Sequence, residues 1–242
     1  MYIDFLEIEK LYLHELTENQ RLKKLKDKVM REGKQRNPII VTKYNKGYLV
    51  LDGAHRYTAL KEIGCQYVMC QVVEKYDYTI EMWNHQISYN DFFEIKPKTE
   101  TSLIDMDSIE CTYKNQCLKI NINNYEKDNV VLNMYKRLVS KVNNCESFKR
   151  VLDRDGDTSN QVILKYPTLT IDRIKRIVSR GGTIPAGISR VNLKCGRVLS
   201  VNIPLEILND SKKHDSVRKS IEMNLRKYED LILMYEGDEI YE

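Results

Sequence analysis

The stretch LVLDGAHRYTAL, at positions 49–60, decides the fold of this chain. It predicts a buried strand that ends at Asp52, a turn at Gly53-Ala54, and a helix that begins near His55. Such a junction collects backbone N–H groups and the positive end of a helix, with His55 and Arg56 beside them. We therefore expect an anion site with phosphate as its natural ligand. The alternative is a plain turn, in which Asp52 only caps the helix and Arg56 is solvated.

Periodicity and turn residues predict further elements on both sides of this junction. Before and just after it they predict an extended segment over 6–13, a helix from Asn19 to Gly33, a hairpin over 38–51, a helix over about 55–63 ending at Gly64, and a strand over 67–73. Farther on they predict weak strands over 112–122, a helix over 128–142, a helix capped by Thr170 and ended by Gly181-Gly182, strands over 188–193 and 197–203, and a charged helix over 214–230. The region 78–100 has no clear pattern.

Composition is that of a globular protein, since 42% of the 242 residues are hydrophobic and 31% are charged. No apolar run approaches the length of a membrane span and no signal peptide is recognisable, so we expect a cytoplasmic protein. The six cysteines form no CxxC pair, and the four histidines are scattered. A dedicated zinc or other transition-metal site is therefore not expected.

The net charge of +4 conceals a strongly basic segment. Between Asn19 and Arg36 lie eight basic and two acidic residues, so this segment carries +6 and the rest of the chain −2. The lysines could raise the local potential for an anionic nucleotide, or they could simply form the solvated face of an amphipathic helix.

The pattern across 6–73 resembles the ParB/sulfiredoxin superfamily. The matching residues are Asn37-Pro38-Ile39-Ile40-Val41, Asp52-Gly53-Ala54-His55-Arg56, Ala59-Leu60 and Gly64. The resemblance implies an α+β fold, with a ParB/sulfiredoxin-like nucleotide-binding lobe over 1–95, a second α+β lobe over 96–242, and an active site in the cleft between them. Ala54 stands where sulfiredoxins have their catalytic cysteine, which excludes sulfinic-acid repair.

Among the other branches, the free-serine kinases have an Asp-Gly-x-His-Arg motif, which 52–56 fits throughout. The pair His14-Glu15 resembles a His-Glu pair of these kinases, and 183–192 (TIPAGISRVN) resembles their second-lobe loop with its Ser/Thr-Arg pair. Trp83 also has a counterpart there. The resemblance extends to the serine kinase encoded with staphyloferrin B siderophore synthesis over most of the chain, although 101–150 matches only loosely.

The resemblance implies a kinase that converts L-serine to O-phospho-L-serine with ATP or ADP and Mg²⁺, for siderophore or amino-acid biosynthesis. It implies catalytic roles for Glu15, as the base, and for Asp52, which would also hold the metal. The residues implied for phosphate binding are Gly53, Ala54, His55, Arg56, Ser189 and Arg190, and those implied for the serine pocket are Trp83, His85 and His14. The alternatives are a ParB-type nucleotide-responsive regulator whose basic helix touches DNA, and an inactive nucleotide-sensing scaffold. The oligomeric state is open.

Overall fold

A computed structural model describes residues 1–96, 107–114, 116–152 and 160–227. The described chain is a mixed α+β structure with two five-stranded sheets and two hydrophobic cores. The first core lies at the first sheet, and the second core combines the second sheet with Ile40, Tyr44, Leu49 and Leu51 of the first. This confirms the predicted fold class. No helix in the described residues is long and apolar enough to cross a membrane. The six cysteines are free thiols.

The first sheet contains the junction with which the sequence analysis began. Its strands are β1 (Tyr2–Glu7), β2 (Leu11–Leu13), β4 (Ile39–Tyr44), β5 (Gly47–Asp52) and β6 (Tyr67–Val72), in the order β1-β6-β4-β5-β2. Strands β4 and β5 form the predicted hairpin. Strands β2 and β5 pair in parallel, as do β4 and β6. Between these strands lie α1 (Asn19–Glu32), the short strand β3 (Lys34–Gln35) and α2 (Ala54–Ile63).

The second sheet is antiparallel throughout. Its strands are β8 (Asn84–Ser88), β9 (Ser108–Tyr113), β10 (Gln116–Asn121), β11 (Lys149–Val151) and β12 (Gln161–Lys165), in the order β10-β9-β12-β8-β11. The helices of this region are α3 (Tyr89–Ile95), α4 (Asn129–Asn143) and α5 (Ile171–Ser179). A separate ribbon joins β7 (Tyr78–Met82) to β13 (Ser189–Leu193).

The end of the described chain returns to the first sheet. Strand β14 (Ile203–Pro204) pairs with β3, and α6 (Leu205–Leu208) and α7 (Ser211–Asn224) follow. Val198, Ile203 and Leu208 are buried in the first core. Strand β8 belongs to the second sheet, although it precedes residue 96. The division into 1–95 and 96–242 remains a prediction.

Three predicted elements differ from the structure. A short 3₁₀ helix (Ile8–Lys10) divides the predicted extended segment 6–13 into β1 and β2. Of the predicted strand 197–203, only Ile203 is in a strand, because Ser200 and Asn202 have φ values of 59° and 57°, which are incompatible with extended backbone. The predicted helix 214–230 begins earlier, where the Asp210 side chain caps Ser211–Asn224, and it ends earlier; residues 228–230 lie outside the described residues.

Candidate functional site

The N-terminal strands meet the loop before β13 at Glu15. Here Leu16 N donates to Ile184 O at 3.1 Å, and Ile184 N donates to His14 O at 2.7 Å. These two bonds form an isolated parallel bridge between Glu15 and Ile184. The bridge brings the predicted His-Glu pair beside the predicted second-lobe loop, as the resemblance implied.

The Glu15 carboxylate is held from two sides. Its Oε1 accepts a hydrogen bond from Gly187 N at 2.6 Å, and its Oε2 is hydrogen-bonded to the Ser189 hydroxyl. Burial raises the pKa of Glu15 to about 7, although the bonds from Ser189 and Gly187 and the nearby Arg150 act in the opposite direction. A carboxylate with a pKa near neutrality is suited to taking up a proton at physiological pH.

His14 lies behind this carboxylate and is only 3% exposed. Its Nδ1 lies 2.6 Å from Val50 O, and its Nε2 lies 3.2 Å from Ser189 Oγ. Burial lowers the pKa of His14 to about 4, so the ring is neutral near pH 7. The side chain contacts protein groups on both ring nitrogens, and its predicted contact with serine remains a prediction.

The strand–helix junction, predicted as an anion site, joins Asp52 of β5 to the start of α2. Gly53 directly precedes α2 and has a φ of 106°. Residues with a side chain rarely adopt this φ, so the turn favours glycine. Asp52 is ion-paired with Arg56, at 3.8 Å, and with Arg197. Burial opposes the ionisation of Asp52, but the two guanidinium groups outweigh it and lower its pKa. The junction therefore presents fixed charges of both signs.

His55 connects the starts of the two helices. Its Nε2 accepts a hydrogen bond from Glu18 N at 3.0 Å, immediately before α1. Burial, together with the nearby Arg21, lowers the pKa of His55 to about 4. His55 is therefore neutral near pH 7. Since Nε2 accepts, Nδ1 carries the hydrogen and is the atom that could donate to a phosphate.

A groove of about 1090 Å³ is lined by Arg56 of the junction and by Leu16, Thr17 and Glu18, which follow Glu15. It is lined by residues of α1, α2 and α4 and by the segments around Phe148 and Ala186. Its basic residues are Arg21, Lys24, Lys28, Lys34, Arg36, Arg56, Lys136 and Arg150, against the acidic Glu18 and Glu32. The basic segment found in the sequence thus lines the groove, which suits a polyanionic ligand such as a nucleotide.

The groove is also lined by Glu18, Asn143 and Arg150, which the sequence analysis did not identify. Arg150 Nη2 lies 2.7 Å from Glu18 Oε1, and Asn143 Nδ2 donates to Ala186 O at 3.1 Å. Gly187, with a φ of 74°, lies directly against Arg150, since a Cβ there would be 2.2 Å from Nη2. Neither Glu18 nor Arg150 belongs to a recognisable local motif, so only the fold identifies them.

The remaining predicted residues, His85, Arg190 and Trp83, contact other protein groups. His85 is completely buried, with Nε2 3.0 Å from Gly187 O and Nδ1 2.8 Å from the Tyr166 hydroxyl, so it helps to hold the Gly187 loop in place. Arg190 stacks on Trp83 at 4.9 Å and lies 3.9 Å from Glu81. Because side chains alternate along a strand, Arg190 and Ser189 point to opposite faces of the ribbon. The substrate and phosphate roles of these residues remain predictions.

Asp52 is the carboxylate that the sequence analysis assigned to Mg²⁺. In the described parts of the chain, no group of three or more His, Cys, Asp or Glu side chains could hold a metal. Mg²⁺ is commonly bound by one or two carboxylates together with substrate phosphates and water. The ionised Asp52 beside a phosphate site fits that mode of binding, but it does not fit a metal held by protein side chains alone.

These features define a class of protein: an α+β protein with a carboxylate of raised pKa and a basic groove nearby. No family model matches the chain. It is similar to the ATP-dependent L-serine kinase SbnI of Staphylococcus aureus, with 28% identity over 90% of this chain and 88% of that protein. It is also 37% identical to an ATP-dependent L-serine kinase of Staphylothermus marinus, over 32% of this chain and 31% of that protein.

Solved structures agree with the sequence relatives. A C-terminally truncated SbnI from Staphylococcus aureus has a TM-score of 0.76 and 26% identity, covering 92% of this chain and 96% of that one. A mutant free serine kinase in complex with ADP has a TM-score of 0.64 at 15% identity, covering 86% and 94%, and shares the fold. The predicted resemblance to the free serine kinases is therefore confirmed. The relatives are kinases and not ParB-type DNA-binding regulators.

Proposed function

We propose that this chain is a kinase that transfers the γ-phosphoryl group of ATP to the hydroxyl of free L-serine. The observation that carries the proposal is the position of Glu15, a carboxylate whose side chain is 14% exposed and whose pKa is raised to about 7 by burial. Glu15 is hydrogen-bonded to Gly187, and the residues on the other side of it in sequence, Leu16 to Glu18, line the basic groove. Similarity to serine kinases over most of the chain supports the same function.

The reaction needs a group that accepts the hydroxyl proton while the serine oxygen attacks phosphorus. In the proposed step a bond forms between this oxygen and the γ-phosphorus, and the bond to the β,γ-bridging oxygen breaks. The proton passes to the Glu15 carboxylate, ADP leaves, and O-phospho-L-serine is formed. Gly187 N fixes Oε1 of Glu15 at 2.6 Å, which orients the base and leaves little rotamer freedom to be lost.

The phosphates would bind at the start of α2. Backbone N–H groups at Gly53-Ala54, the Nδ1–H of His55 and the guanidinium of Arg56 are the donors that this end of the helix offers. The lysines of α1 would add longer-range attraction along the groove. The predicted contacts of Ser189 and Arg190 with phosphate have weaker support, because Ser189 is hydrogen-bonded to Glu15 and Arg190 stacks on Trp83.

The ion pair of Glu18 and Arg150 is suited to a zwitterionic amino acid. A carboxylate binds well to a guanidinium, and an ammonium binds well to a carboxylate. Both side chains are about one quarter exposed and line the groove close to Glu15. We therefore place the α-carboxylate of serine at Arg150 and its α-amino group at Glu18, in addition to the predicted Trp83, His85 and His14.

Mg²⁺ would be bound by Asp52 and by the phosphates, and when bound it would neutralise charge on the transferring group. Asp52 keeps its charge at neutral pH because Arg56 and Arg197 lower its pKa. ATP is the proposed donor, in line with the relatives, and ADP is the alternative kept from the sequence analysis. An enzyme using ATP and free serine would act in the cytoplasm, and siderophore or amino-acid biosynthesis would consume its product.

The direct test incubates the purified protein with L-serine, Mg²⁺ and either ATP or ADP, and measures O-phosphoserine by mass spectrometry. We expect product with L-serine and ATP. Reactions with D-serine and with L-threonine are the controls for recognition of the free amino acid. Nucleotide hydrolysis without phosphoserine, with either donor, would reject the proposed function. Product from ADP in place of ATP would correct the donor and leave the serine kinase proposal standing.

A further inference from the structure

Glu15 is the first member of a hydrogen-bonded chain that ends on the backbone of β5. Its Oε2 contacts the Ser189 hydroxyl, Ser189 Oγ lies 3.2 Å from His14 Nε2, and His14 Nδ1 lies 2.6 Å from Val50 O. The two inner members are held by the sheets, since Ser189 is the first residue of β13 and His14 directly follows β2. The phosphoryl transfer proposed above uses Glu15 as the base and gives no function to the hydrogen bonds behind it.

The chemistry of the groups determines where the protons lie. A carbonyl oxygen can only accept, so His14 Nδ1 must carry a hydrogen to bond to Val50 O. His14 is neutral near pH 7, because burial lowers its pKa to about 4. His14 Nε2 is therefore a bare acceptor, and the Ser189 hydroxyl is the donor that lies beside it.

Ser189 has one proton and two neighbouring acceptors. While Glu15 is ionised, its negative charge attracts that proton, and His14 Nε2 is left without it. Once Glu15 is protonated on Oε2, it can donate to Ser189 Oγ, and Ser189 can turn its own proton to His14. Each of the three side chains then has a matched donor or acceptor.

We propose that His14 is a positioning residue that stabilises the protonated form of Glu15, through reorientation of the Ser189 hydroxyl that lies between them. The inference rests on the proposed function, in which Glu15 accepts the proton of the serine hydroxyl. Only the direction of the Ser189 O–H changes, and no proton is transferred to His14. The chain thereby makes Glu15 a stronger base than two donors to an ionised carboxylate would allow.

The other charged groups around Glu15 set the balance. The hydrogen bonds from Ser189 and Gly187 and the charge of Arg150 favour the ionised form, whereas burial and the negative charge of Asp52 favour the protonated form. The phenol of Tyr135 also lies within electrostatic reach of Glu15, and Asp52 acts on His14 in the direction of protonation. Because the Gly187 N–H occupies Oε1, Oε2 is the oxygen that faces the hydroxyl chain.

Two substitutions of His14 separate its two nitrogens. In His14→Asn the side-chain amide can still donate to Val50 O, but no acceptor remains beside Ser189. In His14→Gln the side-chain oxygen takes the position of Nε2. We expect His14→Asn to lower the pKa of the acid limb of kcat against pH by about 0.5–1 unit, the value of one buried hydrogen bond. His14→Gln should stay close to the wild-type profile.

Ser189 provides the second arm of the test. In a Ser189→Ala background, His14→Asn should cause no further shift, because the link to Glu15 is already absent. Ser189→Thr keeps the hydroxyl, so whatever its rate it should keep the pKa of the acid limb and the further shift caused by His14→Asn. Equal shifts in His14→Asn and His14→Gln, or a shift that persists in the Ser189→Ala background, would overturn the inference.

A measurement without turnover separates this inference from the kinase itself. The Glu15 side-chain carboxyl can be labelled with ¹³C and titrated by NMR in the nucleotide-free protein and in the same variants. The inference predicts a lower Glu15 pKa in His14→Asn and an almost unchanged one in His14→Gln. If the protein shows this pattern but makes no phosphoserine, the proposed function is refuted and the role of His14 stands. If the protein is an active kinase without this pattern, the role of His14 is refuted.

Discussion

The pKa of Glu15 predicts a steep dependence of serine phosphorylation on pH. Burial raises this pKa from 4.5 to about 7, and the carboxylate must be ionised to accept a proton. At a pKa of about 7 the ionised fraction rises from about 9% at pH 6 to about 91% at pH 8, so kcat/KM for L-serine should rise about tenfold. A glutamate with an ordinary pKa would change by only about 3% over the same range.

The assay measures initial rates of O-phosphoserine formation between pH 5.5 and 9 with saturating ATP and Mg²⁺. Glu15→Gln is the matched control, because its amide can accept from Gly187 N and donate to Ser189 without titrating. Its small residual rate should be independent of pH through this range. A wild-type profile that is flat above pH 6, or a limb near pH 7 that persists in Glu15→Gln, would refute the assignment of Glu15 as the base.

Three further predictions use the same residues. Arg56→Ala should weaken ATP and ADP binding by about tenfold or more, since charge-assisted hydrogen bonds to phosphate contribute about 1.5–3 kcal/mol, whereas Arg31→Ala, on the exposed side of α1, should have little effect in the same calorimetric titration. Gly187→Ala should lower kcat far more than Gly196→Ala, because both have φ near 75° but only at Gly187 would a Cβ meet a guanidinium, at 2.2 Å; equal losses would show that backbone strain alone is responsible. Glu15→Gln should have a free energy of unfolding up to about 3 kcal/mol higher than wild type at pH 8, as measured by chemical denaturation. The reason is that folding raises the pKa of Glu15, so the wild-type protein loses stability as the pH rises from 4.5 through 7. The difference should vanish near pH 4.

Local sequence predicts the first lobe well, because the controlling signals lie close together along the chain. The turn between β4 and β5, and the start and end of α2 at Gly53 and Gly64, confirm the elements predicted there. The parallel pairing of β2 with β5 has no such signal, since it depends on contacts between distant segments. Strand β8 was not predicted because its buried residues include the polar Asn84, His85 and Gln86, which hide the usual hydrophobic pattern.

The candidate site is less accessible to sequence reasoning. Residues 52–56 are contiguous and point to phosphate by themselves, whereas Glu15 and Ser189 lie 174 positions apart and were connected only by family resemblance. Arg150 stands on a three-residue strand with no motif around it. The lysines of α1 could equally have been a solvated face, and only the packing of α1 across the groove from α4 shows what they line.

The most direct test of a serine kinase with Glu15 as its base follows wild type and Glu15→Gln side by side with ATP, Mg²⁺ and L-serine by ³¹P NMR. We expect wild type to form O-phosphoserine and ADP in equal amounts. Glu15→Gln should bind ATP with nearly unchanged affinity yet produce phosphoserine at least about a hundredfold more slowly, the usual contribution of a general base. Inorganic phosphate as the sole product of the wild type, or a Glu15→Gln variant with the wild-type rate, would contradict this mechanism.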